Sequence, residues 1–423
     1  MQIEKITSEK LNQMYYKIKH PTGLNIMLCP MQGYSTSYAL FATNYGSTDV
    51  SFKTEETSEY LNVTEGIAHF LEHKMFEDED GDAFARFSQT GASANAYTTF
   101  DKTAYLFSCS DNIYQSLKIL LDFVQRPYFT KESVEKEQGI IAQEIKMYED
   151  NANWIVFYNL LKNLYVNNPV RIDAAGTVES ISVITPELLY QCYNTFYNLN
   201  NMTLSIAGDF DKDEILKICE NSLKNNKDIK IFRKPIEEPE KINQKKSIAK
   251  LSVAMPLFAI GYKLTPAKNR IREYILANFV AQCVIGDCTS FYQKAYSEGI
   301  INSTFDSDIL CGPSYFSLII EGESKDPEMV FELIKKEFDK AIETGIHEEL
   351  FKNIKKSFYG KNIKSFNSVE AIASAMLDAS FYDYSIFDML KEIEDINKDD
   401  VYEYLKNEFK SEKSSISIVN PTE

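Results

Sequence analysis

Over residues 14–43 apolar and polar positions alternate in short runs broken by turn residues, and the pattern predicts strands at 14–19, 24–29 and 37–43. Pro21-Thr22-Gly23 marks the turn between the first two, and Gly46-Ser47 ends the third. The polar, acidic stretch 49–60 reads as a loop. Thr64 stands where it could cap the next helix, with Glu65 in its first turn. A short helix follows over 83–89, and then the small-residue stretch 91–100 leads into a strand at 103–108. Residues 113–125 are amphipathic and stop at Arg126-Pro127. Thr130 caps a long helix reaching Tyr148, whose apolar stripe Val134, Ile141, Ile145, Tyr148 steps by seven, four and three residues.

The pattern weakens over 224–247, which is rich in Lys, Asn, Glu and Pro and carries Pro235-Ile-Glu-Glu-Pro239. A strand signal resumes at 249–254, and helix and strand signals alternate again to the end. The helix-turn-helix pattern of 112–143 is echoed at 327–354, a faint internal repeat. The expected division is therefore 1–224, a linker at 225–247, and 248–423.

Chemistry concentrates in the first predicted helix. The chain has four histidines, and His69 and His73 lie four residues apart in Gly66-Ile-Ala-His-Phe-Leu-Glu-His73. On a helix that spacing puts both imidazoles on one face, where they can grip one divalent metal, and imidazole suits zinc. Glu72 falls beside such a metal, where a carboxylate can take a proton from a water held there. His-x-x-Glu-His is the inverzincin pattern. The bland alternative is a pair of core histidines beside a solvated glutamate. On the long helix, Glu137 and Glu144 lie on or beside the buried stripe, where an unpaired carboxylate is costly. They want a metal or a strong hydrogen-bond partner, unless they are only the charged flank of a Glu- and Lys-rich helix. The 91–100 strand is either an ordinary strand with a close neighbour or an edge that accepts an extended peptide as one more strand.

Bulk composition narrows the classes. At 423 residues, 44% hydrophobic and 13% aromatic, the chain can bury substantial cores. Lys plus Arg is 45 against 62 for Asp plus Glu, a net charge of −17 that argues against nucleic acid or an anionic membrane surface as the main partner. The charged N-terminus shows no signal peptide, and no run of 18 apolar residues is present. Seven scattered cysteines read as reduced thiols, and a cytoplasmic location is expected.

Residues 66–76, ending in Phe76, closely resemble the zinc helix of pitrilysin- and insulinase-type metallopeptidases, a family that includes the mitochondrial processing peptidase. The resemblance extends to 91–105 and 137–154, and generically into the second half. It implies an α+β fold: two related domains, each a mostly antiparallel sheet packed by helices, the second without a metal site. By the same resemblance, Glu144 is the third zinc ligand after His69 and His73, with one Zn2+ per chain. Glu72 is the general base, and Glu137, seven residues before Glu144, is an auxiliary or orienting glutamate. Asn95 and Ala96, with Tyr97 beside them, hold the substrate backbone. Trp154 and Phe76 match walls of the pocket beyond the cleaved bond, although by sequence alone core is the commoner role for either aromatic.

The implied function is a zinc endopeptidase acting on peptides or unstructured segments. One departure stands out. Relatives place an Arg and a Tyr six residues apart in the second domain, where this chain aligns Tyr296 and Asn302. The resemblance thus implies a heterodimer with a related subunit that carries the Arg–Tyr pair, a homodimer being the other arrangement. The competing class is a non-catalytic, metal-binding scaffold subunit, and a metal-free peptide-binding module is a third.

Overall fold

The structure is a computed structural model that describes residues 1–79, 81–225 and 227–422. Its first sheet contains β1 (Gln2–Ser8), β2 (Gln13–Lys19), β3 (Asn25–Pro30), β4 (Ser37–Thr43), β5 (Ser93–Thr98), β6 (Thr103–Cys109) and β7 (Met202–Gly208). The strand order is β1-β2-β3-β7-β4-β6-β5. All neighbours are antiparallel except β3 and β7. Strand β1 precedes those the pattern predicted, and β7, near the end of the first half, lies in the middle of the sheet. Every residue of β4 and β7 is buried, as central strands covered on both faces require.

The second sheet contains β8 (Lys246–Leu251), β9 (Leu257–Lys263), β10 (Asp306–Cys311), β11 (Phe316–Glu323) and β12 (Ser414–Pro421), in the order β8-β12-β9-β11-β10. Its single parallel pair is β8 with β12. Strand for strand this repeats β3-β7-β4-β6-β5. The faint sequence echo is therefore a repeat of topology, and the α+β expectation holds.

The helices are α1 (Ile67–Lys74), α2 (Ala83–Thr90), α3 (Ile113–Val124), α4 (Lys131–Glu149) and α5 (Ala152–Leu164), followed by those of the second half. The chain forms two compact units that interleave along the sequence. One holds residues 1–143, 173–234 and 363–387, and the other 144–172, 235–362 and 388–423. The expected division at 225–247 follows chain order; the units do not. Helix α5, from the first half, packs on β9 and β12 of the second sheet. The helix Val369–Tyr382, from the second half, packs on β4 and β7 of the first.

Small residues make the second of these contacts close: Ala42, Ala104 and Ala207 of the sheet meet Ile372, Ala373, Met376 and Leu377 in one buried cluster. Ser205 Oγ donates to Ala373 O at 2.7 Å, and the Thr203 and Ser380 hydroxyls meet at 2.8 Å, so the buried polar groups are satisfied. On the other sheet, Asn163 Nδ2 donates to Ile416 O at 3.0 Å, and a Cβ on Gly261 would come within 2.7 Å of Leu164 Cδ1.

The stretch expected to link the halves is tied down at both ends. Strand Ile231–Arg233 pairs with Ser51–Thr54 in the region expected to be a loop, and Arg233 binds the buried carboxylate of Asp49. Glu238 accepts the backbone N–H groups of Val166, Asn167 and Asn168 and pairs with Lys263. Desolvation works against its charge, but these four donors outweigh it and hold the carboxyl below its usual range. Among the described residues no single helix is long and apolar enough to cross a membrane.

Candidate metal centre

Helix α1 begins at a backbone crossing. Gly66, its N-cap, has φ 87°, and a Cβ there would sit 2.4 Å from Ala175 O. Gly176 faces it with φ 77°, its Cβ position 2.6 Å from Glu65 O. Only glycine suits both the left-handed backbone and the approach. Thr64 does not cap the helix: its hydroxyl donates to Ser180 O at 2.8 Å, while Ser180 Oγ donates to Glu65 O at 2.9 Å. Glu65 also falls outside the first turn. The start of α1 is therefore set by a distant segment rather than by its own cap.

From there the periodicity acts as read from the sequence. Ile67, Ala68, Phe70 and Leu71 enter the core. His69 and His73 stand one above the other, ring centroids 4.5 Å apart. On α4, Val134, Ile141 and Ile145 are buried, which turns Glu137 and Glu144, two turns apart, toward α1. Helix α4 runs without a break from Lys131 to Glu149, so both glutamates lie on one helix. One ligand atom each of His69, His73 and Glu144 lies within 4.8 Å of the other two.

The second carboxylate orients the site. Glu137 Oε1 accepts from His73 Nδ1 at 3.1 Å, which favours the tautomer that leaves Nε2 with its lone pair. Burial, reinforced by neighbouring His73, pushes the His69 imidazole down to about 3, so that ring is neutral at pH 7, the ligand form. Two neutral imidazoles and one carboxylate, converging, form the donor set of a three-ligand zinc site. Glu72 is 8% exposed, and its Oε2 accepts from Thr98 Oγ1 at 3.1 Å.

Thr98 is the last residue of β5, and β5 is the edge of its sheet. The stretch is therefore an edge strand, paired on one side only, with β6. Asn95 and Ala96 lie along it, and the Asn95 side chain accepts the Ala96 N–H at 2.9 Å. Tyr97 packs against the apolar cluster beneath the sheet. Phe76 belongs to the core, stacked on Phe84 at 4.3 Å and Phe123 at 5.2 Å, and it is Phe84 that reaches the surface. Trp154, on α5 of the second unit, stacks on Tyr148 at 4.3 Å and meets Tyr158 at 5.1 Å with the rings tilted by 50°.

In the second unit Tyr296 is exposed and lies parallel to Tyr292. Asn302 Nδ2 donates to Glu323 at 3.0 Å while its Oδ1 accepts from Thr304 N, so it shapes a turn. Sequence reasoning assigned no role to Thr98 or to Ser180. Hydroxyls carry no periodic signal, and their partners are 26 and 115 residues away.

Known proteins resemble this chain over its length. Residues 58–178 match the family described as insulinase (peptidase family M16), and residues 184–358 match the peptidase M16 inactive domain. An uncharacterized zinc protease of Bacillus subtilis strain 168, YmfH, is 38% identical over 426 residues, spanning 99% of both chains. The β subunit of the Caenorhabditis elegans mitochondrial-processing peptidase is 31% identical over 160 residues, 37% of this chain and 35% of that one. The crystal structure of an M16-like peptidase from Alicyclobacillus acidocaldarius superposes with a TM-score of 0.93 at 33% identity, over 100% of this chain and 99% of that one.

Proposed function

Because the chain belongs to the insulinase family of peptidases, family M16, we propose that it is a zinc-dependent endopeptidase cleaving peptides or unstructured segments. The observation that carries this reading is the convergence of His69, His73 and Glu144 beside Glu72 at an open sheet edge. These three side chains would hold one zinc per chain. Zinc held by three protein ligands supplies Lewis acidity, polarising a carbonyl and bringing the pKa of a water toward about 7.

Glu72 takes the proton from the attacking water and returns it to the leaving amine nitrogen. Glu137 orients the His73 ring. An extended peptide adds to the outer edge of β5, where Asn95, Ala96 and Tyr97 lie. A reducing, cytoplasmic setting belongs to the same proposal, in keeping with seven free cysteines.

The partner is proposed on a separate observation. The positions that align with the family's Arg and Tyr are Tyr296 and Asn302, neither of them cationic, and a donor to a developing oxyanion is worth about 3–4 kcal/mol. A related subunit carrying the Arg–Tyr pair would supply it. A second reading, a non-catalytic metal-binding scaffold subunit, draws on the same missing charge. Zinc analysis with peptide-cleavage assays, run with and without a co-purified partner, separates the two. A zinc-loaded chain that cleaves no peptide in any assembly would leave only the scaffold. The Glu72→Gln protein is the bait for capturing peptides and partners.

A further inference from the structure

We propose that Thr98 is the positioning residue of Glu72, so that the carboxylate is anchored by the strand to which substrate would add; this rests on the peptidase reading above. Thr98 Oγ1 lies 3.1 Å from Glu72 Oε2 and 3.4 Å from Thr103 Oγ1. Thr103 Oγ1 in turn donates to Tyr45 O at 2.9 Å. A hydroxyl has one proton. An ionised carboxylate has no proton to give, so at 3.1 Å the Thr98 hydroxyl is the donor and Glu72 the acceptor. Charge favours this direction too, because a carboxylate is the stronger acceptor and the nearer one.

The anchor is itself held. Thr103 is fully buried. The turn after Thr98 is pinned where Lys102 pairs with Asp378 and where the Tyr382 hydroxyl donates to Asp101, both partners lying on the helix Val369–Tyr382. The hydroxyl thus ties a side chain of α1 to a fixed point on β5. It defines where the base sits relative to a peptide lying on that edge. A γ-methyl in its place would fill the same space and hold nothing.

The test uses Thr98→Val, Thr98→Ser and Glu72→Gln, singly and combined, in whichever assembly cleaves peptide. Zinc content and Tm should stay at wild-type values. Thr98→Val should lower kcat about 10–100-fold with KM within about twofold, and Thr98→Ser should recover kcat to within about threefold of wild type. In the Glu72→Gln background, Thr98→Val should cost nothing further. A wild-type kcat for Thr98→Val, a serine variant as poor as the valine one, or full additivity with Glu72→Gln would overturn the proposal. If the wild type cleaves nothing, the peptidase reading fails by itself. Crystal structures of the wild type and Thr98→Val then decide the positioning role: the Glu72 carboxylate should swing away from β5, and an unmoved carboxylate overturns it.

Discussion

The two sheets share one strand order but differ at their matching edges, β5 and β10. In the first unit, β4 is followed by a short helix with His-x-x-Glu-His and then by the neutral edge Ser-Ala-Asn-Ala-Tyr-Thr. In the second, β9 is followed by the 16-residue helix Arg270–Ile285, which has no histidine, and then by Asp-Ser-Asp-Ile-Leu-Cys. Asp306 stands directly opposite Glu321 of β11. The Glu321 carboxyl is pushed up by desolvation and then by Asp308 and Asp306. Like charges along an edge repel one another and discourage an added strand. One topology therefore offers two edges; side chains leave one open beside a metal site and guard the other.

The contrast is broken most completely by removing the imidazoles. His69→Ala or His73→Ala should drop zinc from about one per chain to a trace, measured by elemental analysis. Full retention in either variant would mean the ligand set is wrong. Next in size, Glu72→Gln should keep zinc and lower peptide turnover by about 10²–10⁴-fold. Turnover unchanged from wild type would remove the base from the scheme.

The exchanged helices sharpen the comparison from the folding side. Leu377 and Leu161 are both fully buried, each on the helix that came from the other half of the chain. Leu377→Ala and Leu161→Ala should each cost about 2–5 kcal/mol in denaturant unfolding. Hydrogen exchange should loosen the first sheet in one variant and the second sheet in the other. Loosening confined to the mutated helix would contradict the packing described.

At the guarded edge, the double variant Asp306→Asn, Asp308→Asn should leave peptide turnover within about twofold and gain up to about 1 kcal/mol at pH 7. A loss of activity would give the second edge a function it lacks here.

The smallest effect concerns pH. His20 is 6% exposed, its Nδ1 2.8 Å from Thr22 Oγ1. Burial first, and then the N-terminal charge, outweigh Glu220 and lower its pKa from 6.5. In the window below 6.5 the unfolded chain therefore binds the proton more readily than the folded one. The His20 contribution is complete above about pH 6.5 and is lost as pH falls toward the folded value. His20→Gln should flatten the fall in urea-unfolding stability as pH drops below about 6.5, and an unchanged pH profile would contradict this.

What the sequence determined by itself was local. The 3.6-residue period turned His69 and His73 to one side of α1 and Glu137 and Glu144 to one side of α4, because side chains four and seven apart share a helix face whatever surrounds it. Alternating patterns located most strands of the first sheet, and the hydroxyl of Thr130 marked a helix start correctly. What only the tertiary structure decided was which distant surfaces meet. Glu144 comes to the histidines 71 residues earlier because the buried stripe of α4 can point only one way. The crossing of Gly66 with Gly176 replaced the expected Thr64 cap, since a backbone contact over 110 residues leaves no periodic trace. Which sheet each exchanged helix covers was illegible for the same reason. Helices α5 and Val369–Tyr382 both present apolar faces rich in aliphatic residues, and either pattern fits either sheet. Hydrogen bonds such as Asn163 with Ile416, and Ser205 with Ala373, make each docking specific, and they form once the chain has come together.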